Sequence, residues 1–171
     1  NVHTMGELLP GYARDLHFTL TVRDNRGGTA FDTTMLIVTD QAGPFCVTRP
    51  DSNIVLQQDS SYQVEWDVAN TDLAPVQCTD VRILLSIDGG YSFPDTLTSS
   101  TTNDGSHIVV VPAGVSTYKA RIKVEAVGNA FFAISKTDFS ILSATVYANI
   151  LLDQKKNGDT ISIGTLGRWM G

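Results

Sequence analysis

Histidine and cysteine are scarce here, three and two among 171 residues. A zinc peptidase of the common helical type needs His-Glu-x-x-His, because one helical turn brings both imidazoles to the metal while the glutamate activates water. His3, His17 and His107 are each followed by something other than Glu, and no two are helically spaced. Neither a catalytic nor a structural zinc site is therefore expected. Gly-x-Ser-x-Gly and Gly-x-Gly-x-x-Gly are also missing, which removes the nucleophile elbow and the dinucleotide fingerprint. Positive charge is short: 12 Lys and Arg stand against 18 Asp and Glu, for a net charge of -6. Phosphate contacts need clustered Lys and Arg, so no nucleic-acid partner is expected. No apolar run approaches the roughly 20 residues that cross a bilayer. The longest, such as Ile108-Val109-Val110-Val111, are strand-sized, and no membrane span is expected.

What is present is a period of two. In Tyr62-Gln63-Val64-Glu65-Trp66-Asp67-Val68 every other residue is apolar, the pattern of a strand with one buried and one wet face. Tyr118 to Ala126 and His17 to Arg23 repeat it, and no long segment carries a helical stripe. Asp24-Asn25-Arg26-Gly27-Gly28, Asp88-Gly89-Gly90 and Asn103-Asp104-Gly105 supply turn chemistry between the runs, since Gly, Asn and Asp tolerate the left-handed backbone of tight turns. The chain is expected to be all-β. Residues 43–142 are read as a complete immunoglobulin-like or fibronectin type III-like β-sandwich, with strands at 45–49, 53–57, 61–68, 80–87, 95–99, 106–111 and 117–126. A last strand at 130–141 is expected to break near Ser135. The candidate core is Tyr62, Val64, Trp66, Val68, Ile83, Leu85, Ile122, Val124 and Phe139. Residues 1–42 offer two strands, 16–23 and 29–39, too few to bury a core, and read as the end of a preceding sandwich module. Residues 143–171 form a tail in which 146–152 and 160–163 flank Asn157-Gly158, a hairpin signal. The chain starts at Asn1 without a signal peptide and reads as an interior segment of a larger precursor.

Several phrases resemble a known family. They are Phe-Thr-Leu-Thr-Val-Arg-Asp-Asn (18–25), Ala-Gly-Pro-Phe (42–45), Val-Glu-Trp-Asp-Val-Ala-Asn-Thr (64–71) and Ala-Pro-Val-Gln-Cys (74–78). Ile-Leu-Leu-Ser-Ile-Asp-Gly-Gly (83–90), Asn-Asp-Gly-Ser (103–106), Ala-Arg-Ile-Lys-Val-Glu-Ala-Val-Gly-Asn (120–129) and Phe-Phe-Ala-Ile-Ser (131–135) follow. In this order they resemble the accessory β-region that follows the catalytic domain in secreted bacterial reprolysin-like zinc metallopeptidases. The resemblance covers about 120 residues; the tail after Ile141 departs from it and carries no recognisable sorting motif. It implies a non-catalytic spacer or stabilising region, secreted or held at the cell surface. Its partners would be neighbouring domains of the same precursor, and the active site would lie outside this segment. The alternative is a cell-surface adhesion or binding module that grips extracellular protein or glycan through its loops.

Four features invite chemistry. Ser86-Ile87-Asp88-Gly89-Gly90-Tyr91-Ser92-Phe93 resembles a single Asp-box turn of sialidase propellers. A propeller repeats that turn in every blade, so a structural hairpin is favoured, with Asp88 accepting backbone N–H bonds, Gly90 at the turn and Phe93 plugging the core. Asp24, Asp32, Asp40, Asp72, Asp80, Asp88 and Asp104 are oxygen donors for calcium, but without EF-hand spacing; turn aspartates more often accept backbone bonds. No cofactor is expected, calcium being the one candidate. Lys119, Arg121 and Lys123 form a basic row on one strand, read as a solvated face ahead of a docking strip for an acidic partner. Cys46 and Cys78 permit one disulfide, closing a loop of about 30 residues, or stand as two buried thiols. From the missing metal motif we expect the purified chain to show no zinc by elemental analysis after dialysis and no cleavage of casein. One tightly held zinc per chain would contradict this.

Overall fold

The computed structural model describes residues 12–143, and every regular element among them is a strand. β1 (Arg14–Arg23) and β2 (Thr29–Val38) form a hairpin of ten paired positions without a register break. Asp24 closes its loop: Oδ1 accepts the N–H groups of Arg26 and Gly28 at 2.8 and 2.9 Å. Among the described residues these two strands pair only with each other. The expected tail hairpin over 146–163 lies outside the described residues.

Residues beyond the hairpin form two sheets. One has the order β3 (Cys46–Arg49), β5 (Ser61–Asp67), β8 (Ser106–Val110). The other runs β4 (Val55–Gln57), β11 (Phe139–Leu142), β9 (Thr117–Ala126), β6 (Asp80–Ser86), β7 (Asp95–Thr102). β10 (Phe132–Ile134) lies along the same edge of β9 as β11. All pairings are antiparallel except β4 with β11. Val47, Val64, Trp66 and Val109 of the first sheet meet Val81, Ile83, Leu85, Ile122, Val124, Phe139 and Ile141 of the second in one core. The two sheets thus form a β-sandwich, and each fully buried apolar side chain stabilises it by about 1.5–3 kcal/mol. Tyr62 and Val68 are half-buried and pack against the rim of this core.

The alternation that marked β5 and β9 is what places their side chains. Val64 and Trp66 point inward while Gln63 and Asp67 stay exposed, and Ala120, Ile122, Val124 and Ala126 are buried along β9. The interruption near Ser135 has a local cause. Ser135 N–H donates to Ile122 O at 2.8 Å, but Ile122 N–H finds the Ser135 hydroxyl, at 3.2 Å, in place of a backbone carbonyl. The ladder therefore breaks into β10 and β11 without leaving that buried donor unpaired. Nine paired strands in two facing sheets predict that residues 43–142, expressed alone, melt cooperatively. Residues 12–41, a single hairpin, should not. Calorimetry of the two fragments checks this, and a cooperative transition from the hairpin fragment would place the boundary elsewhere.

Candidate functional site

The chemistry-bearing residues gather on the outer face of the β9–β6 sheet and at its two ends. At one end the chain leaves β6 through Ser86 and turns. Ser86 Oγ–H donates to Asp88 Oδ1 at 2.6 Å and itself accepts Gly90 N–H at 2.9 Å. Asp88 Oδ1 also accepts the N–H groups of Tyr91 and Ser92, both at 3.0 Å, while Oδ2 takes the Ser92 hydroxyl at 2.6 Å. These donors, Ser86 first, hold the Asp88 carboxyl well below the usual carboxylate range. Gly89 and Gly90 have φ of +88° and +93°, which side chains resist. Gly89 N–H donates to Lys119 O at 2.8 Å, fixing the turn against β9.

The expectation that Phe93 plugs the core is corrected. Phe93 is half-buried on the outer face, where the Lys123 ammonium sits 5.3 Å from its ring centre and 4.8 Å from that of Phe132. Leu84, directly across from Lys123, is buried beside this cluster. The reason lies in parity. The turn leaves β6 from Ser86, which shares the outward side with Leu84 and Arg82, so Phe93 returns over that side. The basic row is likewise tied down on its own sheet. Lys123 pairs with Glu125 at 3.2 Å, Arg82 pairs with Glu125 at 2.7 Å, and Arg121 bonds Asp138 and the carbonyl of Ser135. The Arg82 guanidinium, with Lys123 beside it, draws the Glu125 carboxyl below its ordinary value. Lys119, at the exposed start of β9, is the member that faces solvent.

The opposite end holds a site that the sequence pattern did not mark. Asn103 is 3% exposed, with its carboxamide set between the sheets. Its Oδ1 accepts Trp66 Nε1–H at 2.9 Å, and its Nδ2 donates to Thr71 Oγ1 and Cys78 O, both at 3.0 Å. The loop it grips carries Ala69, Asn70 and Gln77 at positive φ, uncommon for residues with side chains. The buried Trp66 indole, whose N–H needs an acceptor, was the available signal. In the sequence Asn103 is legible only as part of the Asn103-Asp104-Gly105 turn.

Cys46 and Cys78 are free thiols. Register explains why the possible bridge does not form. Val47 turns inward against Trp66, so Cys46, beside Asp67, faces outward. Cys78 is buried in the loop under Asn103, and that burial pushes its thiol up. The aspartates raised for calcium do not converge: among the described residues no group of three or more His, Cys, Asp or Glu could hold a metal ion. Asp24, Asp88 and Asp104 each accept backbone N–H groups of their own turns. No helix among the described residues is long and apolar enough to cross a membrane. No protein-family model matches the chain, and no curated protein matches it.

Asn103→Ala strands the Trp66 indole N–H and the Cys78 carbonyl, and should cost about 2–6 kcal/mol at roughly 1–3 kcal/mol per unsatisfied buried group. Denaturant titration with Trp66 fluorescence checks this; a loss under half a kcal/mol would mean water replaces the amide. Asp88 gives a pH-dependent prediction. A carboxyl depressed in the folded state stabilises above its unfolded pKa of about 4 and loses that contribution as pH falls below it. Melting temperature should therefore drop between about pH 4 and pH 2, and Asp88→Ala should melt lower at neutral pH with a shallower acid limb.

Proposed function

We propose that residues 43–142 are an immunoglobulin-like, fibronectin type III-like accessory module of an exported bacterial protein. Its role is that of a rigid spacer and stabiliser behind a reprolysin-like zinc metallopeptidase domain. The observation that carries this reading is internal satisfaction. The turn aspartate, the buried amide and most of the basic row all direct their polar groups to the module's own backbone and side chains. Side chains that bind or catalyse present polar groups outward to a ligand; here they lock loops and strands, as a rigid spacer requires. The two facing sheets, β3-β5-β8 and β4-β11-β9-β6-β7 with β10 beside β9, support the immunoglobulin-like part of the proposal, because sandwiches of that type pack two mainly antiparallel sheets of seven to nine strands in all. The resemblance of the phrases quoted above to the metallopeptidase accessory region supports the rest.

One observation favours the second reading, a binding module for extracellular protein or glycan. Tyr91 stands 93% exposed on the locked Ser86–Phe93 turn, and Tyr118 is exposed where β9 begins, one residue before the carbonyl that anchors Gly89. Rigid exposed tyrosines give large contact area at low entropic cost. Sequencing the gene on either side of this segment tests the first reading. It predicts His-Glu-x-x-His encoded upstream, and an uninterrupted upstream frame without it rejects the metallopeptidase context. A glycan and protein array probed with wild type and Tyr91→Ala tests the second: a ligand lost on that substitution makes the module a binder.

A further inference from the structure

β8 is an edge strand, and among the described residues nothing pairs with its outer side. Register fixes which of its main-chain groups are left over. Val111 N–H donates to Ser60 O and Trp66 N–H to Gly105 O. In the same ladder His107 and Val109 therefore bond to β5, while the N–H and C=O groups of Ile108 and Val110 point away from it. The side chains of Ile108 and Val110 are 64% and 60% exposed. Beside them Gln63, Ser106, His107 and Ile108 line a recess of about 410 Å³. Natural sheets guard such edges with short strands, bulges, proline or charge. The outermost strands at the other three sheet margins have these guards. β3 has a register shift and lies between Pro44 and Pro50, β4 is three residues long, and β7 follows Pro94 and has two register shifts. β8 runs from Ser106 to Val110 with no register shift, proline, lysine or carboxylate. We propose that β8 is a docking edge. An extended segment of a partner protein adds to it as a further strand of the β3-β5-β8 sheet, with apolar residues beside Ile108 and Val110 and Lys or Arg at its ends.

Charge selects that occupant. Exposed Asp104 stands just before β8, and exposed Asp59 donates its N–H to Val111 O just past the strand's end. Glu65, opposite Ser106, is paired with Arg49. Between Asp51 and Tyr118 the sequence holds nine Asp or Glu and one cation, Arg82, which is paired with Glu125. The edge therefore lies in a negative field. Such a field attracts a basic segment and repels a second copy of the same acidic edge. In strand addition the main-chain bonds supply affinity and the alternate side chains supply selectivity.

The test is independent of the accessory-region reading. The full chain is titrated with the synthetic peptide Lys-Lys-Val-Thr-Val-Thr-Val-Lys-Lys and followed by residue-resolved amide hydrogen exchange. The expected result is saturable binding that slows exchange at Ile108 and Val110. The same peptide with Glu in place of Lys should not bind. Ile108→Pro removes an edge donor without touching the β5 ladder, and should weaken binding about tenfold. Asp59→Asn combined with Asp104→Asn keeps the main chain intact and should weaken it several-fold, as should added salt. Trp66 fluorescence verifies that the sandwich stays folded in each variant. Unchanged exchange at Ile108 and Val110 under millimolar peptide overturns the proposal. So does equal binding of the Glu peptide, or binding undiminished in either folded variant. Exchange already slow at both amides in the chain alone also overturns it, since residues 1–11, 144–171 or a second copy would then cover the edge.

Discussion

A single buried carboxamide holds one end of the sandwich together. Trp66 brings the largest side chain into the core and with it one N–H that must find an acceptor. Asn103 supplies that acceptor from the β7–β8 turn and uses both of its own donors on the loop leading into β6. Its backbone N–H adds a bond to Thr79 O at 2.8 Å. One residue thereby ties β5, the 68–79 loop and the start of β6 across the gap between the sheets. The fit extends to Gly105: with φ of +97°, its position would put a Cβ 3.3 Å from the Trp66 carbonyl. In a low-dielectric interior such a fully satisfied network is stabilising, whereas a partly satisfied one costs more than an apolar replacement.

The opposite end follows the same logic with a charge. Asp88 converts a glycine-rich turn into a fixed bracket by giving both oxygens to the turn's own donors. The outer face between the two ends is a small apolar cluster closed by charges: Leu84 lies across from Lys123, the Lys123 ammonium lies over the Phe93 ring, and Glu125 bridges Lys123 and Arg82. Long cationic side chains cover apolar surface in this way while keeping their heads paired or wet. A row of positive residues on a strand is therefore compatible with a nearly neutral local surface, which is why charge spacing alone is a poor guide to an acidic partner.

The hairpin follows the opposite rule. Its backbone ladder is complete over ten positions, yet its apolar side chains remain in water. Local pairing satisfies the backbone but buries little apolar area, and burial supplies most of the stabilisation in a sheet. The sandwich and the hairpin thus differ in where their stability comes from: the sandwich encloses its own core, and the hairpin requires another surface.

Strand positions were legible in the sequence to within about three residues, the largest miss being the end of β7, expected at 99 and found at Thr102, because a period of two and glycine-bearing turns are local signals and the backbone obeys them locally. The inward set of β5 and β9 followed from the same parity. The break at Ser135 showed as a weak pattern, but its cause, a serine hydroxyl replacing a carbonyl for Ile122, needed the neighbouring strand in place. Phe93, Cys46 and Asn103 were beyond the sequence. Phe93 depends on which side of β6 the turn returns over, Cys46 on the parity of Val47 against Trp66, and Asn103 on three partners distant along the chain. By itself the sequence determined an all-β chain, its strands and its turn residues, since alternation and backbone conformation are properties of adjacent residues. Only the tertiary structure decided which polar groups meet, because a hydrogen bond between residues 66 and 103 exists only once two sheets have been brought face to face.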